Sequence, residues 1–361
     1  MSFRTRRVLF FTPFYMLFYF FLLKYTFLLF GGLNDFYTLS ITVILGLLAC
    51  VPTLLEEKKS RKSVRILAKL YGFWAFCSLF LLMDIIIIYF LGVFIRVPYT
   101  IKCILILLVP MIGIYAYYHA HQLKVKEYQL DVNKITHDLN IIHISDIHFG
   151  FLNNKGYLNK LADKLKELSN TCDLVIISGD LADGSCLIEE DDFLPLKDVN
   201  IPIIFTPGNH DYYPGIENVY KAANKAGLIV LDNENIEIGD LNIVGNSFSF
   251  GDIPNLTFGE LDNMINPNKL NLIVYHTPYY FEEFSNLGFD IQLSGHTHGG
   301  QFYPIILFAE LIFKYNKGLF TKETPQGNHY LSVSAGIGVM DYPGRWGTYS
   351  EIVVLKLRNS N

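Results

Sequence analysis

The sequence predicts an α/β fold, a two-sheet α/β sandwich, preceded by four transmembrane helices. Three observations carry this reading. The first 121 of 361 residues are aromatic and rich in Leu and Ile, with four long apolar stretches nearly free of charge. The remainder holds several short, near-continuous apolar runs, the signature of buried strands. Most of those runs end on a polar cluster rich in Asp, His and Gly, at the strand ends where open α/β sheets bind ligands.

The apolar stretches run about Val8–Phe30, Phe36–Leu55, Leu67–Ile95 and Ile101–Ala120. Each can cover the roughly 20 residues a helix needs to cross a bilayer core. Arg4, Arg6 and Arg7 precede the first, Lys58, Lys59, Arg61, Lys62 and Arg65 follow the second, and Lys124 and Lys126 follow the fourth. The opposite loops are poor in positive charge: Gly31 to Asp35 has none, and Arg96 and Lys102 only edge the other. Four spans with this bias place both the N-terminus and the following domain in the cytoplasm, at the cell membrane. Lys24 and Asp84 are the charges within spans, expected to snorkel or to face a neighbouring helix.

Charge divides the chain at the same place. Residues 1–121 hold 12 Lys+Arg and 4 Asp+Glu, net +8; residues 122–361 hold 17 and 30, net −13. The expected domains are therefore 1–121 in the membrane and 122–361 outside it. A net-acidic second half argues against a nucleic-acid partner. Cys50, Cys77 and Cys103 lie in apolar runs, and Cys172 and Cys186 form no CxxC, so free thiols are expected.

In the second half, Val125–Val132 alternates as an edge strand leading into the core. Leu139–Ser145 is a buried strand ending at Asp146-Ile147-His148. Gly156–Ser169 has helical spacing in Leu158, Leu161, Leu165 and Leu168. Leu174–Ser178 ends at Gly179-Asp180-Leu181-Ala182-Asp183, and Ile201–Thr206 ends at Gly208-Asn209-His210-Asp211. Leu270–Tyr275 ends at His276, and Ile291–Ser294 at Gly295-His296-Thr297-His298. Ile236–Ile238, Leu241–Val244, Tyr330–Ser334 and Ile352–Leu357 complete the expected strands. The acidic run Glu189–Asp192 reads as a solvated loop.

Five of the ten histidines fall in these clusters. Asp, His and Asn supply the oxygen and nitrogen donors that hold divalent metals, and a metal pair can clamp a phosphoryl group and activate water. The other histidines (His119, His121, His137, His143 and His329) have no partner at ligand spacing.

Taken together and in order, the five motifs resemble the calcineurin-like metallophosphoesterase superfamily over about residues 125–358. The resemblance implies that Asp146, His148 and His298 hold one ion, that Asn209, His276 and His296 hold the other, and that Asp180 bridges them. It implies two divalent metal ions, of Mn, Fe or Zn, with a hydroxide held between them attacking phosphorus. His210 matches a non-ligand histidine that protonates the leaving oxygen, with Asp183 hydrogen-bonded to it. Some members follow the second motif with a phosphate-holding Arg, where this chain has Gly184. Arg345 is a substitute clamp, because its planar fork matches phosphate oxygens.

The sequence from Gly299-Gly300-Gln301 through Tyr315-Asn316-Lys317-Gly318, with Gly336-Ile337-Gly338 and Pro343-Gly344-Arg345, resembles a membrane-linked bacterial and archaeal branch. Members of that branch include hydrolases of lipid-linked phosphates. Phe302–Phe313 is apolar and directly follows two of the clustered histidines; it fits either a core element or a surface resting on acyl chains. The expected function is a membrane-anchored phosphohydrolase cleaving phosphate ester or pyrophosphate bonds, with a lipid-linked substrate as one option. A tethered cyclic-nucleotide or small-molecule phosphodiesterase is the alternative enzyme, and a metal-stabilised membrane scaffold or receptor the alternative of another class.

Overall fold

A computed structural model describes residues 3–55, 62–251, 253–325, 327–340 and 342–359. The chain divides into two compact units, Met1–His119 with Asp341–Gly344, and Ala120–Met340 with Arg345–Asn361.

The first unit is built on α1 (Phe3–Leu28), α2 (Asp35–Leu55), α3 (Lys62–Phe94) and α4 (Tyr99–Ala120). All four are long and apolar enough to cross a membrane. Their outward positions carry large apolar side chains, among them Phe10, Phe36, Ile44, Phe90 and Leu107, the pattern of helices facing hydrocarbon. At 33 residues, α3 is about 50 Å long and exceeds a bilayer core. Lys24 reaches the first residue of α2, its Nζ lying 3.1 Å from Asp35 Oδ2. Tyr19 meets Trp74 edge-on at 5.6 Å between α1 and α3. The Tyr342 ring stacks on Phe76 at 4.4 Å, and its hydroxyl donates to the Gly113 carbonyl at 2.6 Å. Lys58, Lys59 and Arg61, on which the expected orientation draws, lie outside the described residues.

The second unit holds two six-stranded sheets. The first contains β1 (Leu123–Val132), β2 (Leu139–Ile144), β3 (Leu174–Ser178), β4 (Ile203–Thr206), β5 (Ile229–Val230) and β12 (Ser350–Asn359), in the order β1-β12-β2-β3-β4-β5. The second contains β6 (Glu234–Ile238), β7 (Leu241–Asn246), β8 (Leu270–Tyr275), β9 (Ile291–Ser294), β10 (Gly318–Thr324) and β11 (Gly327–Val333), in the order β10-β11-β9-β8-β7-β6. Strands β2 to β5 are mutually parallel, as are β7, β8, β9 and β11. Their C-terminal ends therefore gather on one side.

Period-two alternation builds the sandwich. In β2 and β3, Ile142, Ile144, Val175 and Ile177 pack against Leu158, Leu161 and Leu165 of α5 (Lys155–Leu168). Their neighbours Ile141, Leu174 and Ile176 turn the other way, onto Ile243, Leu272, Val274 and Leu293 of the second sheet. The Asn154 side chain caps α5 by accepting from the Gly156 N–H. β4 begins at Ile203, two residues later than expected, because Pro202 has no N–H to give a ladder; its carbonyl still accepts from Val175. The outer face of the second sheet is covered by α7 (Phe258–Asn263) and α8 (Phe281–Leu287) through Leu261 and Phe284.

His143 sits in the layer between the sheets, one ring nitrogen 2.9 Å from Ser178 Oγ of β3 and the other 2.9 Å from Ser332 Oγ of β11. Burial drives its pKa down to about 3, against the pull of Asp146. It is a neutral cross-brace between the two sheets.

Candidate metal centre

Every clustered motif lies just past a strand. Asp146 and His148 follow β2, Asp180 follows β3, Asn209 and His210 follow β4, His276 follows β8, and His296 and His298 follow β9. Each strand hands its last apolar residue to the core, and the chain must then turn within one or two residues. Asp146, His148, Asp180, His296 and His298 make those turns at positive φ, between 50° and 72°. They are five of the nine non-glycine residues with positive φ among the described residues. Such backbone is costly for side chains of this size and gathers at functional sites.

The turns bring the side chains together in two groups. Ligand atoms of Asp146, His148 and His298 lie within 4.8 Å of one another, as do those of Asp146, Asp180 and His276. His148 Nε2 is 3.0 Å from His298 Nε2 and 3.7 Å from both Asp146 Oδ1 and Asp180 Oδ2. His276 Nε2 is 3.1 Å from Asp180 Oδ2, without the alignment of a hydrogen bond. Asn209 Oδ1 and His296 Nδ1 meet at 3.1 Å beside the second group. The His276 and His296 rings stand edge-on, 5.1 Å apart.

Two carboxylates and several imidazoles converge here in full burial. Burial alone would raise Asp146, yet the neighbouring His298, His148 and His276 hold it well below the usual carboxylate range. Burial likewise opposes the ionised Asp180, and His276 and His148 overcome it. His276 is pulled down by burial but lifted further by Asp180 and Asp146, to about 10. His296 and His298 are pushed down by burial, to about 4 and about 3. The two anions thus draw positive charge into the pocket, while His296 and His298 keep neutral lone pairs. That donor set, mixed in oxygen and nitrogen and lacking sulfur, can hold divalent metal ions and differs from sulfur-rich structural zinc sites.

A surrounding shell fixes the donors. His276 Nδ1 lies 2.7 Å from the Ser178 carbonyl and so donates to it, turning Nε2 inward. Ser145 Oγ donates to Asp146 Oδ2 at 2.5 Å, and the His296 N–H adds a second bond to that oxygen at 3.0 Å. Asp211 is the functional residue the sequence left without a role. Fully buried, it accepts from the backbone N–H groups of Asp180 at 2.9 Å, Ala182 at 2.8 Å and Gly208 at 2.8 Å, tying two motif loops together. Its place at the end of Gly208-Asn209-His210-Asp211 was the available signal. Gly208 admits no side chain, since a Cβ there would sit 2.3 Å from Asp180 Oδ1.

Two expectations are corrected. Arg345 is not positioned to clamp phosphate: it is fully buried, and both of its terminal nitrogens are engaged by the protein. Nη2 lies 2.7, 3.1 and 2.6 Å from the carbonyls of Ala335, Gly336 and Gly338, and Nη1 reaches Thr348 Oγ1 at 3.1 Å and the His298 carbonyl at 3.4 Å. It therefore pins the loop carrying His298 to the Gly336–Gly338 turn, which packs directly on Asp146. Asp183 meets His210 through its backbone, with His210 Nδ1 donating to the Asp183 carbonyl at 2.9 Å. The Asp183 carboxylate turns away, accepting from Phe151 N at 3.1 Å and Ser185 N at 2.6 Å. The His210 ring itself stands edge-on to His148 at 4.7 Å. Gly184 leaves no room for an arginine, because a Cβ there would meet Tyr213 Cβ at 2.5 Å.

Comparison with known proteins agrees with this geometry. The family model described as calcineurin-like phosphoesterase matches residues 139–300. An uncharacterized metallophosphoesterase of Helicobacter pylori is 31% identical over 244 residues, covering 66% of this chain and 65% of that protein. The uncharacterized protein YpbG of Bacillus subtilis is 30% identical over 253 residues, covering 67% of this chain and 90% of that one. A Danio rerio protein described as a transmembrane protein with metallophosphoesterase domain is 26% identical over 257 residues, 66% of this chain and 58% of that protein.

Proposed function

We propose, on the premise that this chain belongs to the calcineurin-like phosphoesterase family, that it is a metal-dependent phosphoester hydrolase held in a membrane by residues 1–121, with residues 122–361 as the catalytic domain. The observation that carries the reading is the buried convergence of Asp146, His148 and His298 with Asp180 and His276.

In this reading Asp146, His148 and His298 would hold one metal ion, Asn209, His276 and His296 would hold a second, and Asp180 would serve both. A bound metal pair supplies Lewis acidity toward the phosphoryl oxygens and lowers the pKa of water. The residues do the rest. His210, fixed through Nδ1 by the Asp183 carbonyl, keeps Nε2 as the nitrogen that gives a proton to the leaving oxygen. Asp183 acts through that carbonyl and through the loop its carboxylate holds.

The substrate in this reading is a phosphate ester or pyrophosphate, with a lipid-linked phosphate favoured by the four apolar helices in the same chain. The catalytic domain faces the cytoplasm, on the distribution of Lys and Arg around those helices.

The test is an assay of the purified full chain in detergent against phosphomonoesters, cyclic nucleotides, pyrophosphates and phospholipids, each with Mn, Fe, Zn and Mg. Chelation should abolish turnover, and one of the added metals should restore it. Turnover that survives complete metal removal, or hydrolysis of none of these esters with any metal, refutes the proposal.

A further inference from the structure

Beside the metal pocket runs a helix whose outer side is apolar and exposed. This helix, α9 (Ile305–Ile312), reads Ile-Ile-Leu-Phe-Ala-Glu-Leu-Ile. Ile306 and Ala309 face inward and are buried, whereas Ile305, Leu307, Phe308, Leu311 and Ile312 are exposed, Leu311 at 83% and Ile312 at 70%. In helical steps of roughly 100° these five share one continuous arc, and the charged Glu310 falls at its border. Single exposed apolar residues are ordinary; five adjoining ones on one helix mark a contact surface.

Both ends of the helix add to the picture. At its start, Tyr303 and Trp346 meet edge-on at 5.9 Å, and such amphipathic rings favour the depth of lipid headgroups. Just past its end, the Phe313 ring lies edge-on to the His296 ring at 6.0 Å. The apolar arc is thus continuous with the rim of the metal pocket.

We propose that α9 lies in the interfacial layer of a lipid bilayer, its apolar arc at the headgroup–acyl boundary, and so holds the metal pocket against phosphates at the membrane surface. The occupant follows from three points. The same chain carries four helices long and apolar enough to cross a membrane, so a bilayer is present at high effective concentration. The arc is five residues of one eight-residue helix, well short of the about 20–30 residues a side that a stable protein interface uses. Its exposed side chains are aliphatic and aromatic, the kind an interfacial helix buries at the headgroup–acyl boundary, and the Tyr303–Trp346 pair lies beside its start. The proposal rests on the membrane attachment proposed above and deepens it toward lipid-borne phosphate, but it requires no turnover.

The experiment uses the full chain in proteoliposomes, with Trp74→Phe and Trp346→Phe as background. Into it are placed, singly, Leu311→Trp, Phe308→Trp and the control Asn268→Trp, which lies in the exposed turn before β8, at the strand end away from the pocket. Vesicles of phosphatidylcholine, with or without bromine on the acyl chains, report contact by quenching. Emission from the Leu311→Trp and Phe308→Trp proteins should fall at least about twofold in brominated vesicles, as expected for insertion of about 5–10 Å. Emission from the Asn268→Trp protein should be unchanged. Phe308→Trp is nearly isosteric and keeps the test decisive if Leu311→Trp fails to fold. Quenching at positions 308 and 311 no greater than at 268 overturns the proposal. Quenching without any phosphohydrolase activity would leave it standing and refute only the enzymatic reading.

Discussion

Replacing Arg345 by Met removes a buried charge and the bonds that hold two site loops, while keeping an unbranched chain of similar reach. Nη2 has two hydrogens for three carbonyls, and Nη1 makes one good bond, to Thr348. That amounts to about three charge-assisted bonds, each about 1.5–3 kcal/mol. Part of the sum is returned because the variant no longer buries a cation, leaving a net loss of about 3–5 kcal/mol. For a domain of this size the melting temperature should fall by roughly 6–20 °C. The His298 loop and the turn over Asp146 lose their shared anchor, so metal affinity should drop about 10- to 100-fold, as when supporting hydrogen bonds around a metal are removed. Thermal unfolding of the detergent-solubilised chain and metal titration followed by elemental analysis measure the two effects. Arg345→Lys should recover only part of each, because an ammonium cannot reproduce the fork. A raised KM for phosphate esters, with metal affinity and melting temperature unchanged, would refute the positioning role and restore a substrate clamp.

Asp180→Asn keeps the shape of the side chain but removes the charge facing both donor groups, so metal content and turnover should fall together; two retained ions with near-normal turnover would refute the shared-ligand assignment. His210→Ala should retain metal and lose about 10²- to 10⁴-fold in turnover on poor leaving groups, with a smaller loss on nitrophenyl esters, and equal losses on both would mean that His210 only positions substrate. His143→Leu should cost about 1–3 kcal/mol at pH 8 by orphaning two buried hydroxyls. Because His143 is held at about 3 when folded, the unfolded chain binds more protons below its pKa of roughly 6.5, and stability is lost as pH falls through that value. The unmodified protein should lose about 2 kcal/mol between pH 8 and pH 5 from this group, so the gap to His143→Leu should narrow in melting curves at pH 5.

The strands that carry the site were legible because each is a short apolar run that ends abruptly. The Leu139, Leu174, Leu270 and Ile291 runs all begin where expected, since burial on both faces leaves no ambiguity of period. The extents of β4 and β10 were not so marked. Pro202 shortens the first, and β10 is an edge strand with no buried position, its residues half-buried or exposed, with Lys322 and Glu323 breaking any apolar pattern. Within the site, residue types pointed to chemistry but not to direction. Asp183 and Arg345 carry the groups the chemistry would use, yet Asp183 turns its carboxylate to Phe151 and Ser185, and Arg345 is held by carbonyls seven to ten residues back along the chain. The bonds from Phe151 to Asp183 and from Arg345 to the His298 carbonyl depend on which backbone groups the tertiary fold leaves unpaired. Asp211 was missed for the same reason: its three partners come from two separate loops.

The left-handed corners at Asp146, His148, Asp180, His296 and His298 bear on how such a protein would age if its chemistry were no longer needed. Each corner costs about 1–3 kcal/mol for a side chain of this kind, so the five together rival the whole net stability of an ordinary domain. Glycine, or in milder form asparagine, would relieve each of them at once. A descendant released from catalysis would gain stability at these five positions sooner than anywhere in its core. Erosion should therefore begin at the corners, and a copy of this fold with glycine there and an intact core would be recognisable as a retired enzyme.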